Sequence, residues 1–228
     1  ESQKTLFDDV EPAEREKVNA FDWVEAFPEI LGPNIDPAQR GFDCVIGNPP
    51  YVKLQHFRMV VPDVAEYLSQ ATVVTGGSNG TLAKSARVYK STCSKNFDLY
   101  LPFIERGVTL LNTKGHLGFI APSVWLLNEY GFGLKSYLVN SRRLARWVDF
   151  KDFPVFEEAM TYTALQFYRG QPVEKIAFAS ARDGQLATLQ DEGFIDYEAL
   201  EPNDTWVFLP DRERAILDRL NRDFPSLE

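Results

Sequence analysis

The tetrapeptide Asn48–Tyr51 is the stretch of this sequence whose residue types could do chemistry. It reads NPPY and directly follows the segment GFDCVIG. The side-chain oxygen of Asn48 and the main-chain carbonyl of Pro49 are two acceptors that could bind both hydrogens of one aromatic amine. Two acceptors would pull the amine nitrogen away from planarity and localise its lone pair, making a weak nucleophile stronger. Tyr51 could stack on the ring that carries the amine, a contact worth about 1–3 kcal/mol for a nucleobase.

The residues before NPPY must position it. Cys44–Ile46 is a brief, largely β-branched run with Phe42 just upstream, which predicts a buried strand. Pro49 and Pro50 prevent the strand from continuing, because neither has an N–H and each restricts the residue before it. Ligands of open α/β sheets bind at the carboxyl ends of strands. We therefore expect a rigid corner at a ligand-binding edge; a turn without chemistry is the alternative for an isolated NPPY.

The rest of the chain alternates between strand and helix patterns. Apolar residues spaced three and four apart predict an amphipathic helix over 97–113. Further helices are predicted over 125–138 and 210–222, and further strands over 116–122, 144–150 and 161–168. This order predicts an α/β fold, with a mainly parallel sheet flanked by helices. The closeness of the last two strands is compatible with an antiparallel edge strand.

The charge is unevenly distributed. The net charge of −9 argues against a simple nucleic-acid binder, but residues 41–170 carry 14 bases and 10 acids. Residues 52–96 show no convincing strand pattern and include an acid-free span with four basic residues: Lys84, Arg87, Lys90 and Lys95. Long irregular segments are usually functional or disordered. Two interpretations stay open, a solvated mobile loop and a basic flap that contacts DNA phosphates.

Composition also limits the compartment and the cofactor. No apolar run approaches the roughly 20 residues that a membrane span needs, and the first residues are polar and acidic, unlike a signal peptide. We therefore expect a cytoplasmic protein without a membrane partner. Cys44 and Cys93 lack CxxC spacing, and His56 and His116 have no partners at metal-ligand spacing. No metal site is expected.

Several blocks, in order, resemble one enzyme family. GFDCVIGNPPY closely resembles motif IV of the adenine-N6 DNA methyltransferases of restriction-modification systems, in the gamma class that includes bifunctional type II restriction enzymes. Other matching blocks fall in the family's order: FDWVEAFPEI, NFDLYLPFIERG, GHLGFIAPSVWL, YGFGLKSYL and FPVFEEAMTYTAL. The resemblance covers roughly residues 20–170 and implies a class I, Rossmann-like methyltransferase fold. It also implies S-adenosylmethionine as cofactor and double-stranded DNA as partner.

The resemblance assigns catalytic roles to NPPY and to one distant aromatic residue. It implies that Asn48 and the Pro49 carbonyl accept hydrogen bonds from the target amine while Tyr51 stacks on a flipped adenine. Flipping is expected because the amine cannot be reached inside a duplex. Phe156 matches the position of a second aromatic against the flipped base. An ordinary core phenylalanine is the alternative for Phe156.

The resemblance also implies a cofactor pocket. Pro50 and Phe103 match positions that line the pocket for the cofactor's adenosine, beside Asn48. On sequence alone, Phe103 is a helix residue facing the core. The family's glycine-rich cofactor turn has no counterpart before Phe42, and Gly131–Gly133 does not follow a strand. Cofactor binding by the chain alone is therefore expected to be weak.

These departures predict a partial domain. Residues 1–40 are expected to be an acidic lead-in segment, residues 41–170 the C-terminal half of the catalytic domain, and residues 171–228 a connector that leads to a missing target-recognition domain. The expected partners are DNA, the missing N-terminal half-domain and that recognition domain. Two alternatives stay open: methylation of a protein glutamine or an RNA amine, and a non-catalytic DNA-binding or scaffold fragment.

Overall fold

The computed structural model describes residues 21–70, 72–73, 86–87, 89–93, 96–156 and 161–224. The helices are α1 Trp23–Ala26, α2 Pro28–Leu31, α3 Leu54–Val60, α4 Pro62–Gln70, α5 Tyr100–Thr109, α6 Phe132–Ser141 and α7 Asp211–Asp223. The strands are β1 Phe42–Gly47, β2 Thr72–Val73, β3 Ala86–Arg87, β4 Leu111–Pro122, β5 Leu144–Asp149, β6 Thr163–Arg169, β7 Lys175–Ser180 and β8 Gln190–Asp196. Short 3₁₀ turns cover Lys90–Thr92, Val124–Leu126, Glu129–Gly131 and Tyr197–Ala199.

Six strands form one mixed sheet in the order β1-β4-β6-β5-β7-β8. β1 pairs in parallel with β4, and β5 pairs in parallel with β7. β6 is antiparallel to both β4 and β5, and β8 is antiparallel to β7. Four strands therefore point in one direction, and the predicted α/β fold with an antiparallel edge strand is confirmed. The antiparallel strand expected at the edge, β6, lies inside the sheet, and β8 forms the edge instead.

Helix α5 covers one face of the sheet. Its predicted core residues Leu101, Ile104 and Val108 are buried, as the spacing of three and four requires. Gly107 lets the helix approach β4 closely, because a Cβ there would lie 2.2 Å from Cδ1 of Leu117. This close contact fixes α5 against the strand next to β1.

The chain after residue 170 belongs to the same sheet and core. β7 and β8 extend the sheet, and Trp206 is buried against Trp125, with ring centroids 6.0 Å apart. The main-chain nitrogen of Trp206 donates to the Leu126 carbonyl over 3.0 Å. The ammonium of the buried Lys135 donates to the Asp204 carbonyl over 2.8 Å. The sheet thus continues past the point where the sequence interpretation begins a connector.

Strand β1 differs from its prediction. Ile46 is 86% exposed and Cys44 is also exposed, so the expectation of a buried strand is wrong. Among the described residues, β1 has β4 as its one neighbour in the sheet. A strand at the edge, with one face uncovered, leaves alternate side chains open even when they are apolar.

The helical segments also differ in detail from their predictions. Residues 54–70, expected to be irregular, form α3 and α4, and Ala65 is fully buried there. Residues 124–131 form two 3₁₀ turns before α6, which leaves Leu127 57% exposed. A Cβ at Gly131 would lie 2.0 Å from the Trp125 carbonyl oxygen, so this glycine serves packing. No helix in the described part of the chain is long and apolar enough to cross a membrane.

Candidate active site at the end of strand β1

The NPPY corner lies at the carboxyl end of β1, as predicted for a ligand-binding edge. Asn48 is exposed, Pro49 is buried and Pro50 is half-buried. No residue that the structure describes donates a hydrogen bond to the side-chain oxygen of Asn48 or to the Pro49 carbonyl. Both acceptors therefore lack a hydrogen-bond donor among the described residues.

Hydrogen bonds on both sides of the exit from NPPY hold the corner in place. The Tyr51 hydroxyl donates to the Ile120 carbonyl at the end of β4 over 3.1 Å. The next residue, Val52, accepts from the main-chain nitrogen of Leu99 over 2.9 Å. The main-chain nitrogen of Leu54 donates to the Phe97 carbonyl over 3.0 Å. Tyr51 is thus fixed to the sheet by its side chain, and the following residues are fixed to the segment before α5.

The Tyr51 hydroxyl stays protonated at neutral pH. Burial raises the pKa of this side chain to about 12, because the charged phenolate is poorly solvated there. The hydroxyl therefore remains a donor to Ile120, and the ring keeps a neutral face.

Phe156 lies next to Tyr51, as the resemblance implies for two aromatics at one base. Their ring centroids are 6.1 Å apart and their planes are inclined by 72°, an edge-to-face contact. A base stacked on both rings requires two facing planes, so the Phe156 ring would have to turn. Residues 157–160, which follow Phe156, lie outside the described residues. The role of Phe156 stays a prediction.

A cavity of about 460 Å³ opens on the other side of Asn48 and Pro49. Its volume lies within the range of about 300–1,000 Å³ that is typical of small-molecule sites. Phe103 lines it and is 49% exposed, so it does not face the core. Pro50 adjoins the cavity in sequence without lining it. The further lining residues are Trp23, Val45, Ile46, Gly47, Leu68, Tyr89, Pro102, Arg106, Gly107, Leu110 and Phe119.

Sequence reasoning missed several of these lining residues. Trp23 belongs to the aromatic block FDWVEAFPEI, and its ring packs edge-on against Phe42 at 5.9 Å. Such a block indicates a covered edge of the core and carries no signal for a cavity. Arg106 is one helical turn beyond Phe103, so only the orientation of α5 could have assigned it to the site.

The four predicted DNA-backbone residues are not brought together by the described chain. Lys84 and Lys95 lie outside the described residues, and Arg87 is placed by its backbone in β3. Lys90 is exposed, and its main-chain nitrogen donates to the carboxylate of Glu105 over 3.0 Å. The same carboxylate accepts from the nitrogen of Ser91 over 2.7 Å, which ties this turn to α5. Their role in DNA contact stays a prediction.

The sheet order, the helices on its covered face and the NPPY corner together are those of a Rossmann-like methyltransferase fold. The sequence model of the Eco57I restriction-modification methylase family matches residues 1–156. The chain belongs to that family.

Named relatives agree with this assignment. The chain is 27% identical over 191 residues to the type II restriction enzyme and methyltransferase RM.Eco57I of Escherichia coli, covering 82% of this chain and 17% of that protein. It is 30% identical over 208 residues to the type II methyltransferase M.PaeR7I of Pseudomonas aeruginosa, covering 84% of this chain and 33% of that protein. The chain thus spans between a sixth and a third of the length of these relatives.

A solved structure is also similar to this chain. The type IIG restriction endonuclease BpuSI aligns with a TM-score of 0.44 and 15% sequence identity, covering 84% of this chain and 24% of that protein.

Proposed function

We propose that the protein containing this chain is a site-specific DNA methyltransferase of a restriction-modification or phage-defence system. It transfers a methyl group from S-adenosylmethionine to the 6-amino group of a flipped adenine. One observation carries the proposal: Asn48 and Pro49, whose acceptors have no donor among the described residues, line a ligand-sized cavity close in sequence to Tyr51, which is hydrogen-bonded to β4. Membership of the Eco57I family supports it.

The chain's own residues do the work of orienting and activating the amine. The Asn48 side-chain oxygen and the Pro49 carbonyl each accept one amine hydrogen, which directs the nitrogen lone pair away from them. The proline pair keeps both acceptors in fixed positions. The amine's proton becomes acidic only after methyl transfer, so no general base has to act before the attack. Tyr51 stacks on the flipped base, and Phe156 covers its other face after its ring turns.

The cavity beside Asn48 fits the adenosine part of the cofactor. It has aromatic walls at Phe103 and Trp23, and its volume suits a nucleoside. Asn48 and Phe103, which both line the cavity, would hold the cofactor there. When bound, S-adenosylmethionine supplies an electrophilic methyl group. The position of Asn48 at the cavity edge supports this arrangement, because an amine bound to Asn48 would lie next to that group.

The main cofactor loop, an N-terminal half-domain and a target-recognition domain are proposed to lie outside these 228 residues. The support is the length of the relatives, since the chain covers 17% of one and 33% of another. The chain alone is then expected to transfer little or no methyl. Lys84, Arg87, Lys90 and Lys95 are proposed to contact DNA phosphates in the complete protein.

Asn48→Ala in the full-length protein tests the proposal. By analogy with the loss of one preorganised hydrogen-bonding group in other active sites, the rate of methyl transfer to DNA should fall about 10²–10³-fold. Thermal stability should not change, because Asn48 is exposed. The measurement is single-turnover transfer of labelled methyl to duplex DNA, followed by identification of the methylated nucleoside.

Asn140→Ala is the matched control, because Asn140 is an exposed asparagine on α6 whose amide donates to the Ser136 carbonyl. It should retain the wild-type rate. An Asn48→Ala variant with the wild-type rate would contradict the assignment of the site. Labelled methyl on RNA or protein in place of DNA would overturn the DNA substrate. A full-length protein that binds DNA and transfers no methyl would indicate a scaffold.

A further inference from the structure

Two sequence blocks outside the proposed catalytic residues meet behind the NPPY corner. Asp98 and Tyr100 belong to the block NFDLY at the start of α5, and Tyr130 belongs to NEY in the turn Glu129–Gly131. The hydroxyl oxygens of Tyr100 and Tyr130 are 2.8 Å apart although the residues are separated by 30 positions. Tyr100 is fully buried. A buried hydroxyl pair of this kind requires a defined geometry, because an unpaired hydroxyl would be costly there.

Asp98 adjoins this pair, because it lines one pocket together with Lys53 and Tyr130. Burial raises the pKa of the Asp98 carboxyl, and the nearby ammonium of Lys53 and the hydroxyls of Tyr130 and Tyr100 lower it in part. The groups that act on this carboxyl thus come from three elements: the segment after NPPY, α5 and the turn at Tyr130.

The cluster is coupled to the candidate site through backbone and ring contacts. Lys53 and Asp98 form an antiparallel bridge, flanked by the hydrogen bonds of Val52 with Leu99 and of Leu54 with Phe97. The Tyr100 ring meets the Tyr51 ring edge-on, with centroids 6.5 Å apart and planes inclined by 77°. A change in structure at Asp98 would therefore alter the position of Tyr51 through the backbone bridge and the ring contact.

We propose that Asp98, Tyr100 and Tyr130 form a positioning unit that holds the segment from Tyr51 to Leu54 and so sets the orientation of the Tyr51 ring against the flipped base. The inference rests on the proposed function. None of the three residues needs to touch the base. Their contribution is to keep the stacking wall in place before DNA arrives, so that binding does not have to order it.

Asp98→Asn and Tyr130→Phe in the full-length protein test the unit. Asp98→Asn removes the charge of this carboxyl, while the shape of the side chain stays nearly the same. Each variant should lower the single-turnover rate of methyl transfer about tenfold, the size expected for one hydrogen bond to a charged group. The dissociation constants for DNA and S-adenosylmethionine should change by less than about threefold, because the binding surfaces remain.

The pH profile separates positioning from a merely structural role. The wild-type rate should fall on acidification as Asp98 becomes protonated, with an apparent pKa above that of an ordinary aspartate. Asp98→Asn should lack this acid limb. Tyr130→Phe should move the limb to higher pH, because it removes a hydroxyl that lowers the pKa of Asp98. Tyr130→Phe in the Asp98→Asn background should have no such effect.

The outcomes distinguish the two proposals. A wild-type protein that transfers no methyl to DNA overturns the proposed function. An active wild type whose Asn48→Ala variant is inactive, but whose Asp98→Asn and Tyr130→Phe variants keep the wild-type rate and acid limb, overturns the positioning unit alone. Slower transfer with an unchanged acid limb and a lower melting temperature also overturns it, because a general loss of stability then explains the result.

Discussion

The two aromatic walls proposed for the flipped base are built in different ways. Tyr51 follows two prolines, donates its hydroxyl to the Ile120 carbonyl and packs against the buried ring of Tyr100. Phe156 lies in a bend between β5 and β6, and its ring contact within the described chain is the edge-to-face contact with Tyr51. The first ring is thus hydrogen-bonded to the sheet, and the second contacts the first ring edge-on.

The difference indicates how a base would enter. A ring that is already oriented loses little freedom when a ligand stacks on it, so more of the contact appears as binding energy. Tyr51 satisfies this condition. Phe156 must turn from an edge-on to a face-on position, which consumes part of its contact energy. Under the proposed function, the site would therefore combine one preorganised wall with one that closes on the base.

Removing each ring tests this comparison with the largest expected effect. Tyr51→Ala in the full-length protein should slow single-turnover methyl transfer about 10–100-fold, because a stacking contact of about 1–3 kcal/mol is lost. Phe156→Ala should slow it only about fivefold, at the lower end of the same range. Phe194→Ala is the control, since Phe194 is a 66% exposed phenylalanine on β8, and it should have no effect. Equal losses at positions 51 and 156 would contradict the difference between the walls.

Removing only the Tyr51 hydroxyl should have a smaller effect. Tyr51→Phe keeps the stacking face and loses the hydrogen bond to Ile120, worth about 0.5–1.5 kcal/mol. Methyl transfer should slow by less than about tenfold. Tyr162→Phe serves as control because Tyr162 is 55% exposed. If Tyr51→Phe were as slow as Tyr51→Ala in the same single-turnover assay, the hydroxyl and not the ring would be the important group.

Local chemistry made the corner predictable. Two prolines restrict the backbone wherever they occur, so the end of β1 at Gly47 and the rigid exit could be predicted from sequence. The buried face of α5 followed from periodicity in the same way. Both predictions depend on neighbours within about one turn of chain.

Long-range packing was not predictable from these patterns. Periodicity alone predicts that the Phe103 side chain faces the core. In the structure, Tyr100, Leu101 and Ile104 fill that core, and Phe103 is half-exposed at the cavity. The contact of Tyr100 with Tyr130 depends on how the turns after β4 fold back. The exposure of Ile46 was not predictable either, because an apolar strand has the same sequence pattern whether one or both of its faces are covered.

The smallest expected effect is the response of the Tyr51 wall to alkaline pH. Because burial raises the pKa of Tyr51 to about 12, its donor bond to Ile120 is present at neutral pH and is lost only as pH rises through that value. The ratio of the wild-type to the Tyr51→Phe transfer rate should therefore stay constant from about pH 7 to about pH 10. Above about pH 11 the wild-type rate should fall toward or below that of the variant, since a phenolate repels the carbonyl oxygen. A ratio that already declined with a midpoint near the ordinary tyrosine pKa of about 10 would show a solvated ring, and the contrast between the two walls would then be lost.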